Sequence, residues 1–154
     1  MKNFLSSRCR ARLLATVVGL GWASSLLAQP LPYIGRWLLD DQAEAQASPS
    51  ILTVKEASMT WSGPNKSAPA CVQQFVVKKE NPGSVYTDGH GTKFVAGSLG
   101  SLPTYLLKVS ASTCGGANED VRIRFPLVYD INHIEVIEYV NGKPVSARRF
   151  HRKK

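Results

Sequence analysis

From Tyr33 onward no stretch sustains an apolar period of 3.6; short alternating runs follow one another instead, punctuated by Gly, Pro and Asn. That pattern writes strands and excludes helices of ordinary length. Residues 121–125 alternate most cleanly: Val121, Ile123 and Phe125 should point inward, with Arg122 and Arg124 in water. Residues 133–140 and 143–150 flank Asn141-Gly142, a preferred two-residue hairpin turn. Further strands are expected over 33–39, 51–54, 58–61, 71–79, 85–87, 92–96 and 104–112, with residues 40–50 as a loop. The prediction is an all-β chain forming a single antiparallel barrel of about 8 to 10 short strands, with a two-sheet sandwich as the alternative.

A leader precedes these strands. Lys2, Arg8, Arg10 and Arg12 form a basic start, residues 13–27 are mostly apolar, and Ala28 stands before Gln29-Pro30. This is the order of a cleaved export signal over 1–28, and the apolar run is short for a membrane span. Leu26 is larger than a cleavage site prefers, so a cut after Ser25 is the second choice. Cys9 lies before the apolar run, where a lipidated cysteine would not be placed. The expected product is one domain over 29–154, periplasmic (or else secreted) and not membrane-spanning after cleavage.

The net positive charge is confined to the ends. Four of the 19 cations and none of the 11 acids lie in the leader, which leaves +4 on the mature chain. Five of those remaining cations, Arg148, Arg149, Arg152, Lys153 and Lys154, fall in the last seven residues, so 29–147 carries −1. A nucleic-acid-binding body would carry its basic charge across a folded face, so no nucleic-acid partner is expected. The basic tail, 148–154, is drawn as mobile beyond Phe150. Its five cations suit an anionic envelope component, or they serve only to keep a strand end soluble.

Two cysteines survive processing, Cys71 and Cys114, 43 positions apart. An even pair in an exported chain reads as a disulfide; free thiols, a redox pair or half a metal site are the alternatives.

Gly35-Arg36-Trp37 on the first strand, the many-stranded body and the basic last strand resemble lipocalin-type (calycin) barrels. In that family a G-x-W opens the first strand and a late-strand arginine packs over the tryptophan. The resemblance implies Gly35, Trp37 and Arg148 as the barrel-closing residues, and an interior that holds a small apolar ligand. The chain departs from the family in lacking its T-D-Y turn: Tyr86-Thr87-Asp88 has another order and place.

Reactive constellations are sparse. Asp88-Gly89-His90-Gly91 sets a carboxylate beside an imidazole, but on a hairpin tip, which should be exposed. His133 and Glu135 share a strand face and read as a solvated stripe, and Asp130 in the turn before them carries no functional signal either. There is no G-x-S-x-G elbow and no phosphate-binding glycine loop. No catalytic residue, cofactor or metal is therefore expected. The sequence points to a small exported binding protein, non-catalytic, holding a small apolar ligand. The alternative is an envelope protein-interaction module, an inhibitor or accessory subunit, acting through loops or the basic tail. A hollow interior would favour the first, a solid one the second, and convergent buried polar groups would suggest a hydrolase.

Overall fold

A computed structural model describes residues 31–41, 49–63, 68–81, 83–96, 104–114, 119–126 and 130–154. The leader over 1–28 and its cleavage point lie outside these residues. Ten strands are present: β1 (Gly35–Leu39), β2 (Ile51–Val54), β3 (Ser58–Ser62), β4 (Cys71–Lys78), β5 (Val85–Thr87), β6 (Lys93–Val95), β7 (Tyr105–Ser112), β8 (Asp120–Arg124), β9 (His133–Val140) and β10 (Lys143–Arg152). Eight of them close an antiparallel barrel in the order β1-β10-β9-β8-β7-β4-β3-β2; β5 and β6 form a separate two-stranded hairpin. Closure removes the exposed sheet edges that a sandwich of this sequence would leave.

The inward set follows from period 2. Trp37, Leu39, Leu52, Val54, Met59, Trp61, Phe75, Leu107, Val121, Ile123, Ile134, Val136 and Phe150 alternate along their strands and pack into one buried cluster. Tyr33, just before β1, is fully buried with them and tilts against Tyr105 at 4.4 Å between ring centres. Each large apolar side chain fully withdrawn from water contributes about 1.5–3 kcal/mol, so this single core dominates the fold.

Turn chemistry sets the register. Asn141 and Gly142 both have positive φ, 51° and 71°, so the β9–β10 turn is of the type whose twist matches the strands. An irregularity between Pro144 and Ser146 then shifts β10 by one residue, which places Arg148 opposite Val136 and hence inside the barrel. The same register places His133 opposite His151 on the outer face. Cys71 and Cys114 form a disulfide across a Cα separation of 5.1 Å, tying the start of β4 to the segment after β7.

Two expectations need correction. The last strand does not end at Phe150 but runs to Arg152, because His151 and Arg152 pair with Leu38 and Trp37 of β1. And Arg122 and Arg124 are not in water: the hairpin β5–β6 lies over them, and Arg122 is only 3% exposed.

Candidate functional site

The barrel interior is the first place a ligand would go. Among the described residues its inward positions carry Trp37, Leu52, Met59, Leu107, Ile123, Ile134 and Phe150, each fully buried. Towards the end where β4 begins, the lining turns polar. Trp61 donates its indole N–H to Gln73 at 2.9 Å, and Arg148 lies 4.6 Å over the Trp61 ring. Arg148 also donates to Glu138 at 3.0 Å. A buried ion pair of this kind is stable only with its remaining hydrogen bonds satisfied. The Nε of Arg148 is buried and has no partner.

At the opposite end the barrel is closed. The Arg152 guanidinium sits 4.3 Å over Trp37 and donates to the carbonyls of Ile34, at 3.1 Å, and Pro32. Arg148 therefore does not take the place over Trp37; β10 runs on to Arg152, which pairs with Trp37 of β1 and takes it. Gly35 is required here on two counts. Its φ is +147°, and a Cβ would come within 2.7 Å of an Arg152 nitrogen. Trp37 spends its indole N–H on the Tyr33 carbonyl at 2.9 Å.

The basic tail is thereby taken apart. Arg148 points into the barrel and Arg152 seals it. Arg149 points outward, 3.7 Å from Glu135, while Lys153 and Lys154 are exposed. Of the five cations proposed for an anionic surface, Arg149, Lys153 and Lys154 face solvent.

The outer wall carries a feature the sequence concealed. Asp88-Gly89-His90-Gly91 is not a free tip: Asp88 is buried, and its carboxylate accepts from the N–H groups of His90 and Thr92 at 2.9 and 2.8 Å. Its other oxygen faces Arg124 at 3.3 Å. Gly89 touches Ala147 of β10, where any side chain would collide. Two arginines then stand beneath two stacked rings: Arg122 lies 4.0 Å from the centre of Tyr86, and Arg124 4.2 Å from that of Phe94. Arg122 is bidentate to Glu80 and donates to Thr104 at 2.5 Å. Burial alone would lower the Arg122 pKa, but the Glu80 carboxylate outweighs it and the net direction is upward. Arg124 behaves likewise, through Glu135. Glu135 is 1% exposed, so it is a buried counter-ion rather than part of a solvated stripe with His133. The sequence signal was present in the arginines' alternation with the core, but nothing local says that a distant hairpin folds over them.

Between this hairpin and the wall lies a cleft of about 210 Å³ lined by Val85, Tyr86, Thr87, Leu106, Asp120, Arg122, Tyr139 and Gly142. Two of its polar atoms, Asp120 Oδ1 and Arg122 Nε, are buried without partners. The backbone of β5 adds more. The Ala96 N–H donates to the Ser84 carbonyl at 2.8 Å and the Asp88 N–H to the Thr92 carbonyl at 2.9 Å, so the even-numbered residues in and flanking β5 bond towards β6. Val85 and Thr87 must then turn their backbone groups to the free edge; Thr87 uses its carbonyl there to accept from the Tyr139 hydroxyl at 2.7 Å. Among the described residues no strand pairs with this edge of β5. Among the described residues no three His, Cys, Asp or Glu side chains share a metal position. No helix of the described residues is long and apolar enough to cross a membrane.

No protein-family model matches the chain, and neither curated proteins nor solved structures give a significant match.

Proposed function

We propose that this chain is an exported, non-catalytic interaction module of the cell envelope, built on a lipocalin-type barrel, that grips a protein partner along the free edge of β5. The observation that carries the reading is the packing of the interior. A carrier needs a hollow of roughly 300 Å³ or more, whereas fully buried Trp37, Leu52, Met59, Leu107 and Phe150 occupy the interior. What is open is the outside. An extended peptide laid along β5 would meet the backbone groups of Val85 and the N–H of Thr87, whose carbonyl already accepts from Tyr139, which is strand addition to an edge. Val85 and Val95 form a cross-strand apolar pair on the solvent face of the hairpin, 63% and 45% exposed, and would supply the contact area.

The lipocalin-type assignment is supported by Arg152 over Trp37 beside Gly35, the arrangement the resemblance implies, reached by a different arginine. Export to the periplasm is supported by the disulfide, which persists only where thiols are kept oxidised.

The test is site-specific photo-crosslinking in cells that express the full chain with its leader. A photoreactive residue at Val85 should give a discrete protein adduct, and one at the equally exposed Val76 on β4 should not. No adduct at Val85, or the same adducts from both positions, overturns the reading.

A further inference from the structure

The register of β9 against β10 has a chemical consequence. His133 and His151 are directly opposed. Arg152 donates its N–H to Asn132 at 2.7 Å, so the hydrogen-bonded pairs of this ladder are the neighbours on either side. The two histidines therefore occupy a non-hydrogen-bonded pair, the position where opposed side chains come closest. Both point outward, because Ile134 and Phe150 beside them are fully buried in the core. Their rings lie 6.4 Å apart at 52°.

Each ring is also held from behind. His133 Nδ1 is 2.6 Å from Asp130, and His151 Nδ1 is 2.7 Å from Asp40. A carboxylate on Nδ1 keeps the proton there and leaves Nε2 as a lone-pair donor, which is how ligating histidines are oriented. Asp130 is itself held in place: its other oxygen accepts from the Asn132 N–H at 2.8 Å. The two side chains are 44% and 43% exposed, open to an ion from solvent.

We propose that His133 and His151 form a two-imidazole surface site for a divalent transition-metal ion, with Asp130 and Asp40 as the outer partners that orient the rings. Both rings must turn their Nε2 atoms towards a shared ion, and the tetragonal coordination that Cu²⁺ and Ni²⁺ prefer takes them as two neighbouring ligands. Exposed side chains make that adjustment within their rotamer wells. Water completes the coordination sphere. Asp40 and Asp130 offset the cation's charge; Arg152, next to His151, is turned inward over Trp37, and Arg149 lies 3.7 Å from Glu135, while Lys153 is exposed. Imidazole ligands favour Cu²⁺ and, after it, Ni²⁺ and Zn²⁺ over the hard alkaline-earth ions. This site is separate from the β5 edge and stands or falls independently of it.

The test titrates purified full-length protein with Cu²⁺, followed by calorimetry and electron paramagnetic resonance, and uses His133→Ala, His151→Ala and the Asp40→Asn/Asp130→Asn double variant. Thermal melts in chelator confirm that each variant folds. One Cu²⁺ should bind with nitrogen hyperfine structure from two imidazoles. Either histidine variant should weaken binding at least about tenfold, and the double aspartate variant about 10- to 100-fold. His90→Ala, the third histidine of the chain, should change nothing. No stoichiometric binding, or binding that survives both single histidine variants, overturns the proposal.

Discussion

The guanidinium of Arg152 lies 4.3 Å over the ring of Trp37 while donating to the carbonyls of Ile34 and Pro32. One side chain near the carboxyl end thus joins the last strand, the first strand and the segment before it. Cation–π contact contributes about 0.5–2 kcal/mol, and a charged hydrogen bond about 1.5–3 kcal/mol. Arg152→Ala should therefore destabilise by about 2–4 kcal/mol in urea unfolding, whereas deleting Lys154 alone should change stability by less than about 0.5 kcal/mol, because the last bond to β1 is made by the Lys153 N–H to the Arg36 carbonyl at 2.9 Å. Deletion of residues 151–154 should behave like Arg152→Ala, not like removal of a loose tail.

Asp88 clamps the hairpin to the wall. It satisfies two N–H groups of the turn and faces Arg124. Asp88→Ala leaves those donors and a partly buried guanidinium short of a partner, at a cost of about 1–3 kcal/mol for the unsatisfied groups. The loss should be local: hydrogen exchange should speed up over residues 83–96 while the amides of β9 keep their protection. Uniform loss of protection throughout the barrel would contradict the view of β5–β6 as an appended clamp.

The disulfide closes a segment of 43 positions. Loop-closure entropy assigns such a link about 4 kcal/mol. Mild reduction, or Cys71→Ala with Cys114→Ala, should lower unfolding stability by up to that amount and leave the far-ultraviolet circular dichroism unchanged. Alkylation of both thiols in protein purified without reductant would contradict the bond itself.

Much of the barrel is legible in the sequence because its signals are local. Alternation marks Val121, Ile123 and Phe125 as inward, and Asn141-Gly142 marks the turn. What is not legible depends on contacts between distant segments. Arg122 and Arg124 alternate correctly, yet they are buried because Tyr86 and Phe94, some 30 residues away in sequence, lie over them. The exchange of Arg148 for Arg152 over Trp37 comes from the extension of β10 to residue 152, where it pairs with Trp37; both arginines share one strand face, so alternation does not separate them. The pairing of His133 with His151 has the same origin: each histidine is unremarkable until the strand register opposes them.

The account stands most directly on a filled barrel whose contacts are made from outside. Titration with an apolar fluorescent probe such as N-phenylnaphthylamine, read by tryptophan fluorescence and by melting temperature, tests it. Trp37 and Trp61 both face the interior, so uptake would be seen by both rings. The account predicts no saturable binding and no rise in melting temperature. A saturable one-to-one complex that quenches tryptophan emission and stabilises the protein would contradict it and restore the barrel as a ligand cup.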